Sequence, residues 1–453
     1  MRPMQPGRVL IIGAGLAGSL LAVYLARAGW KVELVERRAD PRIRRHAAGR
    51  SINLAISARG IKALRRAGLE EAVMKDALRM GGRMLHPVAG TPRFQPYSSD
   101  PTQAINSVSR SALNLALLDA AAAEPNVTLA FDERCANVDF ANGTVTFAND
   151  STGATHTRTA DLVVGADGAY SAVRGAMQRT ERFDYEQSFL GHGYKELHIP
   201  PSKDGPHAPF AVDPNALHIW PRGESMMIAL PNPDGSFTCT LFWRHDGEGS
   251  SFAAIRDGTA ALAHFRAVYP DAVPLMPTLA EDYDRNPVGS MVTVRCAPWR
   301  RGRVALLGDA AHAIVPFYGQ GANASFEDCE ALVDALAAHA TVEDALEAYE
   351  AARRVNANAI ADMALRNFVE MRDLAGRKSF QWRKRVEHWM QAIMPNAFTP
   401  LYDLVSFSTV PYIEAKERGL ASERRVKRII AAAISLAFGG TVIGVLAATG
   451  AIP

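Results

Sequence analysis

Apolar residues near the N-terminus fall into a strand, turn, helix, strand pattern. Val9 to Ile12 is a short continuous apolar run, Leu16 to Ala28 is helical in composition, and Val32 to Val35 is apolar again. This predicts one βαβ unit. Further along, Val127 to Phe131 and Leu162 to Val164 read as strands able to extend the same sheet, with a helix over Leu113 to Ala123 before them. From about residue 180 to 295 the texture changes to alternating segments such as Met226 to Leu230 and Phe237 to Trp243, parted by the turn signal Pro231-Asn232-Pro233-Asp234-Gly235. An antiparallel sheet is expected there. Residues 303 to 308 return to a buried strand, and 322 to 390 are almost wholly helical in composition.

The length, 453 residues, calls for two or three packed modules, and a 48% hydrophobic content can fill their cores. Lys and Arg number 50 against 47 Asp and Glu, so no global field points to nucleic acid. Cys135, Cys239, Cys296 and Cys329 form no C-x-x-C pair, which argues against a metal site or a disulfide framework. The basic, apolar N-terminus is not read as a signal peptide, because three glycines at a meaningful spacing break it and a second strand pattern follows.

Those glycines are Gly13-x-Gly15-x-x-Gly18. Gly13 permits a tight turn after the strand, Gly15 lets the backbone approach a pyrophosphate, and Gly18 lets the helix pack closely on the strand. Glu36 ends the second strand, where a carboxylate suits ribose hydroxyls and would repel a 2′-phosphate. FAD or NAD therefore fits better than NADP. Two distant segments bear on that choice: Gly165-Ala166-Asp167-Gly168, followed by Ser171 and Arg174, and the run from Gly308-Asp309 to Asn323.

Together with the N-terminal turn, these segments resemble the three signatures of the single-component, class A flavoprotein aromatic hydroxylases. The resemblance implies an α/β chain. A Rossmann-like FAD-binding domain of the glutathione reductase type would occupy residues 1–180, which include a substrate loop at 80–100, and 296–345. An antiparallel-sheet substrate domain would occupy 181–295 and a helical capping region 346–423. It also implies FAD contacts at Gly13, Gly15, Leu16, Ala17, Gly18, Glu36, Arg37, Arg50, Ala55, Arg110, Cys135, Asp167, Asp309, Gly319, Gln320, Gly321, Ala322 and Asn323. No second glycine turn is present, so NADPH is expected to act as a transient co-substrate over the flavin.

Within that family, the strings Gly49 to Ala55, Phe189 to Leu197, Phe368 to Asp373 and Tyr402 to Phe407 resemble the members that hydroxylate L-kynurenine, a step of tryptophan degradation. The likeness implies reduction of FAD by NADPH, formation of a flavin C4a-hydroperoxide from O₂, and attack on the ring carbon beside the aniline nitrogen. It places Arg83, Tyr97, Asn367 and Tyr402 at the amino-acid end of the substrate, with Pro316 and Phe317 also in the pocket. A guanidinium with phenolic donors is a physically apt partner for a carboxylate entering an apolar site. No protein base is nominated, and His312 reads as structural. Tyr318 and Ala322 depart from the residues expected at the flavin face, Phe or His and Met respectively.

Outside the family pattern, Ile429 to Pro453 carries no charge and follows the basic cluster Arg424, Arg425, Lys427 and Arg428. A run of this length can anchor in a membrane with its basic flank on the cytoplasmic side. A glycine-rich helix docked on the protein's own surface is the alternative. The other functional readings are hydroxylation of a different aromatic acid, a non-catalytic flavoprotein, and halogenation, for which the sequence lacks a Trp-x-Trp-x-x-Pro segment.

Overall fold

A computed structural model describes residues 4–43, 53–371, 399–426 and 428. Its first sheet has six strands in the order Arg300–Arg301, Val304–Leu306, Leu162–Gly165, Arg8–Ile12, Lys31–Val35, Val127–Ala130. All neighbours are parallel except the first pair. Parallel strands are covered on both faces, which explains why the inner ones read as unbroken apolar runs: Val9 to Ile12 and Leu162 to Val164 are all buried. Helix Leu16–Arg27 packs beside helices Arg110–Ala123 and Gly321–Ala338. A small three-stranded sheet pairs Asn53–Ile56 with Ile105–Ser109 and leads directly into helix Arg110–Ala123. Ser109 caps that helix by accepting from the Ala112 N–H.

The second sheet has seven strands in the order Gly289–Ala297, Asp184–Ile199, Phe237–Arg244, Ser225–Pro231, Ala216–Arg222, Gly82–Leu85, Arg93–Pro96. It is not purely antiparallel, because Ala216–Ile219 pairs in parallel with Gly82–Leu85. The segment expected to be a substrate loop at 80–100 is thus a hairpin that extends this sheet. Its prolines agree with that placement: Pro87 and Pro92 fall between the two strands, and Pro96 ends the edge strand, where a missing N–H removes no ladder bond.

Among the described residues the helical stretch breaks between Ala338 and Val342, where the Thr341 hydroxyl caps the next helix by accepting from the Asp344 N–H. Helix Val342–Val369 then runs against the second sheet. Ile360, Met363, Ala364 and Phe368 share one apolar core with Met226, Phe242, Phe317 and the segment from Leu404 to Ala415.

Among the described residues no helix is long and apolar enough to cross a membrane. The expected tail, Ile429 to Pro453, lies outside the described residues, as do Arg50 and residues 372 to 398.

Candidate active site

The cradle begins where strand Arg8–Ile12 ends. Gly13 takes φ +107°, and its N–H donates to Val35 O at 2.7 Å. A side chain there would also strike Ala166 O at 2.5 Å and Asp167 Cα at 2.9 Å, so the turn lies directly against the second motif. At Gly18 a Cβ would sit 1.9 Å from Gly13 O, whereas one on Gly15 would meet nothing within 4 Å. Gly18 is thus closed by protein, and Gly15 opens outward at the N-terminus of helix Leu16–Arg27. The N–H groups of a helix's first turn have no internal partner there and favour an anion.

Glu36 holds the rim of this turn. Its carboxylate accepts from the Ala14 N–H at 3.0 Å and the Arg38 N–H at 3.1 Å. Arg37 is exposed beside it, and Leu16 and Ala17 are half-buried. Cys135 is packed in the core, 6% exposed.

Asp167 uses one carboxylate oxygen to accept from the Ala172 N–H at 2.6 Å and the Val173 N–H at 3.3 Å. The other, Oδ1, is buried with no hydrogen-bond partner among the described residues. Burial pushes this carboxyl up, opposed by the Ser171 hydroxyl and those N–H groups. Arg174 ties the second motif to the third, donating to Ala169 O at 2.6 Å and Ala310 O at 2.8 Å.

In the third motif, Asp309 is exposed at the head of helix Asp309–His312, although protein surrounds it closely. That combination marks a side chain lining an open trench. Arg110 is exposed and near enough for its charge to act on Asp309. Gly319 lies against Ala55, and Asn323 fastens the far end. The Asn323 amide donates to Ala55 O at 2.9 Å and Gly319 O at 2.8 Å, while its Oδ1 accepts from the Ser57 and Gly60 N–H groups. Gly321 and Ala322 are half-buried along the same loop, and Gln320 is buried.

These residues fit a dinucleotide laid from the Gly15 helix terminus past Asp309 to the loop at Gly319. The support is an open helix terminus, an orphaned carboxylate oxygen and accessible residues drawn from three distant segments.

His312 is buried, 2.5 Å from Asp328 and stacked on Trp299, so it belongs to the scaffold. Asp328 is held below the usual carboxylate range. Burial opposes its charge, but His312 and Arg353 outweigh it. Among the described residues, no group of three His, Cys, Asp or Glu side chains could hold a metal ion.

A second site lies between the second sheet and the C-terminal helices. Its cavity is lined by Arg83, Tyr97, Tyr318, Met363, Asn367 and Tyr402, with Arg366, Glu370 and Glu423 at one side. Arg83 comes from strand Gly82–Leu85, Tyr97 from the residue after strand Arg93–Pro96, and Tyr402 from helix Leu401–Ser406. The guanidinium lies over the rings of Tyr97 and Tyr402, at 5.4 and 4.9 Å from their centroids. Burial disfavours the Arg83 charge, yet the phenol oxygens of Tyr402, Tyr97 and Tyr318 hold its pKa above the ordinary value.

Arg83 Nε and Tyr97 Oη are buried without hydrogen-bond partners among the described residues. Among the described residues no carboxylate pairs with Arg83. The two acids at the cavity are engaged by Arg366, at 2.7 Å from Glu423 and 3.2 Å from Glu370. The cavity thus combines a buried cation with orphaned polar atoms, a chemistry that suits an anion.

Asn367 also lines the cavity, but its Nδ2 is spent on Phe317 O at 2.6 Å, which fixes the 3₁₀ turn Pro316–Tyr318. Phe317 itself does not line the cavity as expected. Its ring packs between Phe242 and Phe368, with centroids 5.0 and 4.3 Å away, and Tyr318 faces in instead. Pro316 is exposed and also outside the lining. Arg366, Glu370 and Glu423 were not singled out from the sequence. The first two have the spacing of an ordinary surface pair on a helix, and Glu423 is remote in the chain.

Fold and cradle together define an FAD-dependent monooxygenase of the single-component aromatic-hydroxylase class. The family model described as "FAD binding domain" matches residues 7–364. Within the class, the chain belongs to the kynurenine 3-monooxygenase family. It is 48% identical to the kynurenine 3-monooxygenase of Myxococcus xanthus (strain DK1622) over 430 residues, 95% of this chain and 92% of that relative. It is also 48% identical to the enzyme of the same name from Xanthomonas campestris pv. campestris (strain 8004), over 91% of this chain and 90% of the relative.

Among solved structures, the tetrameric form of 2-methyl-3-hydroxypyridine-5-carboxylic acid oxygenase shares the fold. Its TM-score is 0.67 at 22% identity, covering 83% of this chain and 95% of the other. The p-nitrophenol 4-monooxygenase PnpA from Pseudomonas putida DLL-E4 does so too, at TM-score 0.67 and 19% identity over 86% and 94%. FAD is the cofactor of this chain and NADPH its co-substrate.

Proposed function

We propose that this chain hydroxylates L-kynurenine to 3-hydroxy-L-kynurenine, consuming NADPH and O₂. The observation that carries the reading is the unpaired Arg83 enclosed by Tyr97, Tyr318 and Tyr402. A charge held in such a cavity without a counter-ion favours a ligand that brings a carboxylate. Kynurenine brings one on its amino-acid arm, and the 48% identical relatives are named for acting on it.

Bound FAD supplies the redox chemistry, with electrons from NADPH and one oxygen atom from O₂. The residues of the three motifs would hold it: the Gly15 helix terminus at the pyrophosphate, Glu36 at the ribose, Asp309 at the ribityl chain, and Gly319 to Asn323 along the ring. Arg83 and the two stacked tyrosines would clamp the amino-acid arm, which fixes where the aromatic ring lies. The substrate's own aniline nitrogen pushes electron density onto the ring carbon beside it, so the chain needs no base to activate that carbon.

The test is incubation of the purified yellow protein with NADPH, O₂ and L-kynurenine, followed by mass spectrometry. A product one oxygen heavier at the 3-position is expected. Oxidation of a different aromatic acid instead would reassign the substrate. The reading also includes a membrane contact through residues 429–453, supported by their uncharged sequence beside Arg424, Arg425, Lys427 and Arg428. Cell fractionation checks it, since the full chain should sediment with membranes and a chain ending at residue 423 should not.

A further inference from the structure

Arg59 belongs to neither the trench nor the cavity, yet its side chain is completely buried. It sits in the second turn-to-helix unit of the FAD domain, helix Ala58–Arg66, and pairs with Glu327 at 2.5 Å. Three further donors go to main-chain carbonyls of the C-terminal segment. Nε donates to Val405 O at 3.2 Å, and Nη2 to Leu404 O at 3.4 Å and Val410 O at 2.5 Å. The guanidinium also stacks on Tyr412, 3.9 Å from its centroid. A planar fork with five donors can serve three carbonyls, a carboxylate and a ring at once, and an ammonium cannot.

Tyr412 carries the connection onward. Its hydroxyl donates to Gln320 Oε1 at 2.8 Å, and Ser57 Oγ approaches the same oxygen at 3.4 Å. Gln320 is buried, 1% exposed, between Gly319 and Gly321 of the loop that borders the flavin ring. At its other end the segment bears Tyr402, stacked on Tyr97 and placed against Arg83. Ser98, the residue after Tyr97, donates to Asp403 at 2.8 Å. One short stretch of chain therefore touches the substrate cavity at Tyr402 and the flavin loop at Tyr412, and Arg59 fixes it in between.

We propose that Arg59 and Tyr412 are positioning residues that hold the loop Gly319–Asn323 in register with the Tyr402–Arg83 pocket, so that filling the pocket is transmitted to the flavin loop. This inference rests on the kynurenine reading given above. It assigns the pair a role in coupling reduction to hydroxylation, beyond a share in stability.

The test compares wild type with Tyr412→Phe, which removes the hydroxyl and keeps the ring under Arg59. Three quantities are read in the FAD-loaded full chain: the change in the flavin absorbance spectrum on adding kynurenine, the 3-hydroxykynurenine formed per NADPH oxidised, and the KM for kynurenine. Tyr412→Phe should diminish the spectral change and lower product per NADPH by roughly two- to tenfold, the range a single lost buried hydrogen bond corresponds to, while KM stays within about twofold. Arg59→Lys, which keeps a cation beside Glu327, should show the same signature and serves if Tyr412→Phe fails to fold. An unchanged spectrum and ratio in the variants would overturn the proposal, as would a raised KM with normal coupling. Failure of the wild type to hydroxylate kynurenine would instead overturn the functional reading.

Discussion

Tyr97 and Tyr402, from opposite ends of the chain, stack with ring centroids 4.8 Å apart and planes 11° from parallel. Arg83 lies over both rings, and among the described residues neither its Nε nor the Tyr97 hydroxyl has a hydrogen-bond partner. On the reading proposed above, the stack would preorganise Arg83 for the carboxylate of a ligand. Arg83→Ala should raise the kynurenine KM by roughly ten- to a hundredfold, the worth of hydrogen bonds to a charged group. FAD content, read from the visible absorbance of the purified protein, should stay at the wild-type level. An unaltered KM would place the substrate carboxylate elsewhere.

Gly15 and Gly18 stand three residues apart in one turn and should fail differently. A methyl on Gly18 collides with the Gly13 carbonyl, so Gly18→Ala should lower the melting temperature of the FAD-free protein and its FAD affinity together. A methyl on Gly15 meets nothing within 4 Å among the described residues, so Gly15→Ala should leave the FAD-free melting temperature intact and weaken only FAD binding. Calorimetric titration of FAD into both variants separates the two effects. If Gly15→Ala bound FAD normally, the pyrophosphate would not lie at this helix terminus.

Much of the FAD domain was legible because its signals are local. Val9 to Ile12, the glycine spacing and Val32 to Val35 are contiguous, and each states its own conformation. The strands Gly82–Leu85 and Arg93–Pro96 were not legible, since four residues carry no periodicity and the nearby prolines read as a loop. Phe317 and Tyr318 show a finer limit. They are neighbours in a 3₁₀ turn, so their side chains point about 120° apart, and only packing decides which one faces the cavity. The meeting of Arg83, Tyr97 and Tyr402 was available from resemblance alone, because no property of the single residues announces a contact across three hundred positions. The pairing of Arg366 with Glu423 left no trace in sequence, because it depends on how two helices pack.

Asp328 is the point where three buried partners converge: His312 at 2.5 Å, Arg353 at 2.7 Å and the Gly308 N–H at 3.1 Å. Removing its charge takes one of two carboxylates from the buried Arg353, which keeps Glu327 at 3.0 Å, and weakens the acceptor facing His312. Asp328→Asn should cost up to about 3 kcal/mol in urea unfolding, below the full range for a buried charge left wholly unpaired. Asp309→Asn, at an exposed position in the same motif, should cost much less and instead lower FAD affinity. Equal losses of stability would mean that Asp309 is also part of the scaffold.

His218 offers a pH test on the far side of the sheet. Its ring, 1% exposed, contacts Asp213 O at 2.8 Å and His86 Nε2 at 2.8 Å, and burial pushes its pKa from 6.5 down to about 4. The folded protein therefore resists a proton that the unfolded chain accepts from about pH 6.5 downward. Stability contributed by the neutral ring is fully present above pH 6.5, declines as the pH falls, and stops declining once the folded form also protonates near pH 4. The total change from this one group is at most about 3 kcal/mol. His218→Gln keeps a polar side chain but cannot titrate, so its melting temperature should fall less steeply than that of the wild type between pH 6.5 and 4. Parallel slopes for the two proteins would show that acid sensitivity in this window arises from other groups.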